Sequence, residues 1–213
     1  MCRFSTQGQA LLIASEVVLR ICFSLVKWRG NRPGGVSLKN FVRNYLILIC
    51  IAGGIIVLDQ FTKALVRQSL ALGEIWSPWP WLTPYARIVH WYNSGVAFGL
   101  FQGKGDIFMI LAILVALAII YFYPRVPASD WSLRLAMGLQ LGGAVGNLID
   151  RLTLGHVTDF ISVGTFPVFN VADSSITIGV IILLLGVYLQ ERKEKSQSAR
   201  READPPTGDP HIV

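Results

Sequence analysis

The chain has 213 residues, of which 53% are hydrophobic and 15% are charged, with a mean hydropathy of +0.52. An ordinary soluble domain carries about 25% charged residues, so this composition excludes a soluble globular protein. The middle of the chain, residues 44–190, holds only seven Lys or Arg and seven Asp or Glu. This part therefore has the composition of a membrane domain.

The first 43 residues are predicted to lie outside the membrane domain. An apolar stretch, Leu11–Val26, contains Glu16 and Arg20, which lie four positions apart and can pair on one helix face. Charges in the middle of a span cost about 2.5–3.5 kcal/mol each. We therefore expect a cytoplasmic amphipathic or disordered extension over residues 1–43 rather than a fifth span.

Four segments are apolar enough to cross a bilayer, which takes about 20 mostly apolar residues. They cover roughly residues 44–64, 106–123, 134–152 and 171–190. We expect an all-α membrane protein in which residues 44–190 form one four-transmembrane-helix bundle. The polar segment 191–213, which contains proline, is expected to be a disordered cytoplasmic tail.

The net charge of +6 could indicate nucleic-acid binding, but the positions of the basic residues indicate membrane topology instead. Seven of the 19 Lys and Arg precede the first predicted span, two lie in the 124–134 connection, and five follow the fourth span. The positive-inside rule then places both termini and the middle connection in the cytoplasm. No nucleic-acid partner is expected.

The segment between the first two predicted spans contains four of the six tryptophans, namely Trp76, Trp79, Trp81 and Trp91. Tryptophan is enriched at membrane–water interfaces. The run RIVHWYNSGVAFG at 87–99 is rich in β-branched and aromatic residues, which favour strands. We expect a small β-containing platform outside the membrane between helices 1 and 2.

Four acidic residues are predicted to lie at one level of the membrane. Asp59 and Asp150 end the outward-running helices, Asp173 begins the last helix, and Asp159 lies in the short connection between the third and fourth spans. Ionisable groups at such depth indicate a functional site. Asp59 can instead pair with Lys63, four positions later, and a structural role for Asp150 is as well supported as a catalytic one. Asp159 and Asp173 have no Lys or Arg within three positions, which favours a chemical role.

Two carboxyl groups in a low-dielectric site cannot both ionise easily, so one keeps its proton. Such a pair can remove a proton from water and protonate a leaving amine, as in aspartic proteases. The three histidines, His90, His156 and His211, show no zinc-protease spacing, and no serine lies in a G-x-S-x-G turn. Two alternatives stay open. One is a metal-dependent phosphotransferase acting on lipid headgroups, and the other is a small transporter or an interaction protein that uses the acids as ion or proton sites.

Five ordered motifs give the chain a family resemblance. They are DQFTK at 59–63, NSGVAF at 93–98, GGAVGNLIDR at 142–151, GHVTDF at 155–160 and FNVAD at 169–173. In residues 44–190 the chain resembles the bacterial lipoprotein signal peptidases, or signal peptidase II. Its amino-terminal extension of residues 1–43 is the feature that departs from the family pattern.

The resemblance implies an intramembrane aspartyl endopeptidase of the bacterial inner membrane that needs no cofactor or metal. It would remove signal peptides from prolipoproteins by cutting before a diacylglyceryl-modified cysteine, at the periplasmic side, with membrane lipids around a monomer. Carried onto this chain, the catalytic pair is Asp159 and Asp173. The resemblance assigns supporting or substrate-binding roles to Asn93, Asn147, Arg151, Asn170, Asp59 and Lys63.

Overall fold

The fold is described from a computed structural model, which covers residues 38–94 and 105–203. The chain divides at Asn40 into two compact units, and the description concerns the unit from Phe41 onward. Most of the predicted amino-terminal extension, residues 1–37, lies outside the described residues. The helices are α1 (Leu38–Ser69), α2 (Gly105–Phe122), α3 (Trp131–Leu154) and α4 (Val171–Ala203), and the strands are β1 (Ile75–Trp76), β2 (Ala86–Asn93) and β3 (Val157–Val163).

Three of the described helices are long and apolar enough to cross a membrane. These segments are Val42–Ser69, Asp106–Arg125 and Val171–Leu189, and they match the first, second and fourth predicted spans. Only 11–22% of the most apolar window of each segment is buried inside the protein, which suits helices that face lipid. The structure therefore confirms a mostly helical protein with three candidate membrane-spanning helices.

The third predicted span is helical, as α3, but it is not among the segments that length and hydropathy select. Its buried positions include glycines, Asn147, Asp150 and Arg134, which lower its hydropathy. A helix covered by its neighbours presents little surface to lipid, so its sequence can hold small and polar residues.

Glycines on α3 let the neighbouring helices approach closely. A Cβ atom at Gly138 would lie 2.6 Å from the Ile51 side chain of α1. At Gly143 it would collide with the Ala172 carbonyl oxygen and the Ser175 hydroxyl of α4. The small residues therefore allow close packing, and α3 lies between α1 and α4.

An apolar core joins α1, α2 and α3 on the side of the bundle away from the acidic residues. It contains Leu48, Ala52, Ala116, Ile119, Tyr123, Val126, Met137 and Leu141. Next to it, the buried Arg134 donates to Asn44 on α1 and to the carbonyl groups of Val126 and Pro127. These bonds tie the α2–α3 connection to α1.

The strands form one antiparallel sheet in the order β1-β2-β3. β1 and β2 lie between α1 and α2, so the predicted β-containing segment at that place is confirmed. β3 comes from the α3–α4 connection and was not predicted as a strand. It pairs with β2 so that Asp159 lies opposite Trp91 and Val157 lies opposite Asn93, after a register shift between Ile88 and Trp91.

The last helix extends further than the sequence indicates. The predicted tail begins at residue 191, but α4 continues to Ala203. This extension consists mostly of residues that favour helices, namely Glu, Lys, Arg, Gln and Ala. The first proline after residue 190 is Pro205, so the helix can continue past the apolar segment. The rest of the predicted tail, residues 204–213, lies outside the described residues.

Candidate active site

The two aspartates without a nearby basic residue in sequence line the same cleft. Asp159 is the third residue of β3, and Asp173 lies in the first turn of α4. The cleft has a volume of about 550 Å³, and Asn93 and Arg151 also line it. The fold thus brings together two carboxyl groups that come from different elements.

Asn170 bridges the two aspartates at the start of α4. Its side-chain amide donates to Asp159 Oδ1 at 2.7 Å. Its side-chain oxygen accepts the Asp173 N–H at 3.0 Å, while its own N–H donates to Asp173 Oδ2 at 3.3 Å. This reciprocal arrangement resembles a helix-capping box, with Asn at the N-cap and Asp three residues later. The capping geometry fixes Asp173 relative to Asp159.

Two further asparagines complete the hydrogen bonds to the carboxyl groups. Asn93, at the end of β2, donates to Asp159 Oδ2 at 2.8 Å. Asn147 on α3 donates to Asp173 Oδ1 at 2.8 Å. Each carboxyl group therefore accepts two hydrogen bonds from asparagines, and such bonds favour its charged form.

Burial opposes that charge at Asp159. Loss of solvent and the neighbouring Asp173 together raise the pKa of Asp159 to about 7, although the bonds from Asn93 and Asn170 and the charge of Lys63 act in the opposite direction. Two adjacent carboxyl groups that share one proton can act as acid and base in turn. A carboxyl group with a pKa near 7 can gain or lose a proton near neutral pH, which suits general acid–base chemistry.

A buried ionic cluster lies behind the aspartate pair. Lys63 Nζ lies 2.8 Å from Asp59 and 3.1 Å from Asp150, and all three side chains are almost completely buried. The predicted pairing of Asp59 with Lys63 is confirmed. Lys63 also donates to Asn147 Oδ1 at 2.9 Å, which connects the cluster to the site.

Arg151 lines the cleft near both aspartates, where its guanidinium donates to the Asn147 carbonyl group at 3.4 Å. The structure therefore brings all eight residues that the resemblance selected into one connected region. Sequence reasoning missed Gln60, which donates to Asp59 and Asp150, and Thr158, whose N–H donates to Asp150. Both residues lie inside motifs quoted in the sequence analysis, Gln60 in DQFTK and Thr158 in GHVTDF. Their membership of these motifs is the sequence signal that could have identified them.

The rest of the cleft is mostly apolar, and its other polar lining residues are Ser174 and Thr177. Its wall is formed by side chains of α2, of the β3–α4 connection and of α4, including Phe108, Phe166, Val168, Phe169, Ile176 and Ile178. The cleft thus places a polar pair at one end of a hydrophobic surface. Within the described ranges, no three His, Cys, Asp or Glu residues are grouped so that they could hold a metal ion.

Comparison with known proteins identifies the family. Residues 51–189 match the family model described as signal peptidase (SPase) II. The chain is 43% identical over 142 residues to a lipoprotein signal peptidase of Shouchella clausii, covering 66% of this chain and 92% of that protein. It is 36% identical over 153 residues to the lipoprotein signal peptidase of Staphylococcus carnosus, covering 70% and 94% of the two chains.

A solved structure agrees with the sequence comparisons. It is titled a bacterial membrane enzyme structure determined by the in meso method at 2.3 Å resolution. The match has a TM-score of 0.63 and 34% identity, and it covers 70% of this chain and 90% of that chain. With its family model, its relatives and its fold in agreement, this chain belongs to the signal peptidase II family.

Proposed function

We propose that the protein is an aspartyl endopeptidase that removes signal peptides from diacylglyceryl-modified prolipoproteins, cutting before the lipidated cysteine. The observation that carries the proposal is the placement of Asp159 and Asp173 in one cleft, joined by Asn170. Family membership supports the substrate class, because the relatives are named lipoprotein signal peptidases. All eight site residues described above come from one chain, and we propose that the enzyme acts as a monomer.

In the proposed reaction, the pair begins with one proton. The charged carboxylate accepts a proton from water while the water oxygen bonds to the scissile carbonyl carbon, and the other carboxyl group protonates the carbonyl oxygen. The newly protonated carboxyl group then donates to the leaving nitrogen as its partner takes a hydroxyl proton. The C–N bond breaks, a peptide acid and the amine of the lipidated cysteine form, and the pair again holds one proton.

The surrounding residues are assigned roles by their contacts. Asn93, Asn147 and Asn170 orient the carboxyl groups through the hydrogen bonds described above. Arg151 lies on the cleft wall beside both aspartates, where it can donate to the backbone of a bound peptide. The apolar wall offers contacts for acyl chains and for the hydrophobic part of a signal peptide.

The proposed topology has four spans, with α3 as the third. Both termini and the α2–α3 connection would be cytoplasmic, and the aspartate pair would face the periplasmic side of the inner membrane. Acyl chains that stay in the bilayer would present the scissile bond at its outer boundary. The platform between α1 and α2 exposes four tryptophans, namely Trp76, Trp79, Trp81 and Trp91. Their exposure supports contact of the platform with the periplasmic surface of the inner membrane.

The first experiment measures cleavage of a diacylglyceryl-modified prolipoprotein by the purified protein in detergent with EDTA. We expect the wild type to be active, and Asp159→Asn and Asp173→Asn to lose at least about 1,000-fold in kcat, since each removes a group used in proton transfer. Asp106→Asn is the matched control, because this exposed acid at the start of α2 does not line the cleft.

Each outcome decides between the alternatives left by the sequence. An inert wild type, or near-normal turnover by either folded dyad variant, would contradict the proposal. Activity that appears only when Mg²⁺ is supplied would favour a metal-dependent enzyme.

A further inference from the structure

The buried ionic cluster reaches the backbone on both sides of the site. Besides Lys63 and Gln60, Asp59 accepts the N–H of Ala172 at 2.9 Å. Ala172 immediately precedes Asp173. A carboxylate of α1 therefore holds the first turn of α4 at the residue next to one member of the pair.

Asp150 makes the corresponding contact with β3. Its Oδ2 accepts the N–H of Thr158 at 3.0 Å and lies 3.1 Å from Lys63 Nζ, while its Oδ1 accepts from Gln60 at 3.0 Å. Thr158 immediately precedes Asp159. The two carboxylates bonded to Lys63 thus each hold the residue before one of the two aspartates.

The third acceptor of Lys63 is the side-chain oxygen of Asn147. This oxygen also accepts from Asn170 at 3.1 Å, so the amide nitrogen of Asn147 is directed at Asp173. Because an ammonium group can only donate, Lys63 fixes which end of the Asn147 amide faces the site. All three donor positions of the ammonium group therefore act on groups that support the pair.

We propose that Asp59, Lys63 and Asp150 are positioning residues that fix the separation of the two catalytic carboxyl groups. This inference rests on the proposed peptidase function. The three residues form a frame across α1 and α3 that holds β3 and α4 by their backbone N–H groups. Close contact supports the frame, since a Cβ atom at Gly146 would lie 2.7 Å from Asp59 Oδ2.

Few charged groups in the described part of the chain lie near the two aspartates, so the effect of removing one charge on the pKa of Asp159 can be interpreted. Among the described residues, those that interact electrostatically with Asp159 or Asp173 are Asp59 and Lys63 on α1, and Arg151 on α3. Asp150 interacts with Arg151, and Arg67 lies 3.9 Å from Asp150. Of these, Lys63 lowers the pKa of Asp159, so loss of its charge has a defined direction.

The test compares Lys63→Met and Asp150→Asn with the wild type in the cleavage assay. All the groups that contact the Asp150 carboxylate are hydrogen-bond donors. The side-chain amide introduced by Asp150→Asn therefore points its nitrogen at a donor, whichever way the amide is turned. Displacing a reacting group by about 1 Å can cost on the order of 100-fold in rate. We expect kcat to fall by about that factor in both variants, with KM changed less than about threefold, because the cleft wall remains.

The control is Arg134→Gln, which removes another buried cation from α3 near the opposite end of the helix. We expect it to lower thermal stability but to leave kcat and the pH profile unchanged, at a temperature where all variants are folded. In Lys63→Met, the alkaline limb of the kcat/KM profile should also move to higher pH, since the charge that lowers the pKa of Asp159 is lost. If these residues only stabilised the fold, neither kcat nor the alkaline limb of the kcat/KM profile would change.

Asp150→Asn keeps the Asp59–Lys63 pair and decides the question if Lys63→Met fails to fold. Unchanged kcat in a folded Asp150→Asn enzyme, or an equal loss in Arg134→Gln, would overturn the inference while the wild type stays active. An inert wild type would instead overturn the proposed function and this inference with it.

Discussion

Asn93 illustrates how a single neutral residue can set the pH dependence of the site. Its amide donates to Asp159 at 2.8 Å and lowers the pKa of that carboxyl group, which burial and Asp173 raise to about 7. Asn93→Ala removes the donor, so the pKa of Asp159 should rise. In the proposed mechanism the pair works with one proton, so activity should be lost when Asp159 ionises, and the alkaline limb of kcat/KM should move to higher pH.

The measurement is kcat/KM between about pH 5 and 9 for wild type and variant, a range that spans the pKa of Asp159. Asn44→Ala is the control, because Asn44, which is buried, also bonds to a charged group, Arg134, away from the cleft. An alkaline limb that stays in place or moves to lower pH in Asn93→Ala would contradict the role given to this bond.

At the same scale, the sequence motifs select the residues around the pair but not their contacts. The N-x-x-D spacing of Asn170 and Asp173 is visible in the sequence as a helix-capping pattern, and the structure has that geometry. The bond between Asp150 and the N–H of Thr158 has no such signal. It depends on how β3 returns against α3, which no local pattern determines.

At the scale of elements, the contact between α3 and α4 is set by Gly143. A Cβ atom there would collide with the carbonyl oxygen of Ala172, the residue before Asp173. Gly143→Ala should push the start of α4 away from α3, destabilise the fold by about 1–3 kcal/mol as overpacking does, and reduce kcat. Thermal unfolding and the cleavage assay would measure the two effects.

Gly54→Ala provides the comparison for that prediction, since a Cβ atom at this α1 position meets nothing within 4 Å. Alanine also has the higher helix propensity, so this variant should be at least as stable as the wild type and fully active. Equal behaviour of the two variants would show that the α3–α4 contact tolerates a methyl group and does not position the site.

The elements themselves were predictable to different degrees. The three helices that face outward follow directly from continuous apolar sequence. β3 was missed because VTDFISV at 157–163 is short and lies between two helices, although its β-branched residues favour a strand. Its partner β2 lies more than 60 residues earlier, and pairing at that distance in sequence leaves no local pattern.

At the scale of the whole described fold, large apolar side chains lie on the outside of the membrane-spanning helices and an ionic cluster lies inside. Large apolar residues such as Leu46, Ile113 and Ile181 are exposed on the three outer helices, whereas Asp59, Lys63 and Asp150 are completely buried. A bilayer favours this arrangement, because lipid covers the apolar surface and cannot solvate the ionic cluster. It explains why α3, the inner helix, has the composition least typical of a span.

The topology follows from combining that arrangement with the distribution of basic residues, and it can be tested with single cysteines. The background replaces Cys2, Cys22 and Cys50 with serine. Each variant then introduces one cysteine at a position that is exposed in the structure: Ala71, Ala128, Thr165 or Ser198.

A membrane-impermeant maleimide applied to intact spheroplasts should label Ala71→Cys and Thr165→Cys, because these positions flank the platform and the site. Ala128→Cys and Ser198→Cys should react only after the membrane is permeabilised, since they lie near the basic residues that the positive-inside rule assigns to the cytoplasm. Opposite accessibility of Ala128 and Thr165 requires α3 to cross the bilayer. If both react from the same side, α3 does not span. If Thr165→Cys reacts only after permeabilisation, the placement of the aspartate pair at the periplasmic face is wrong.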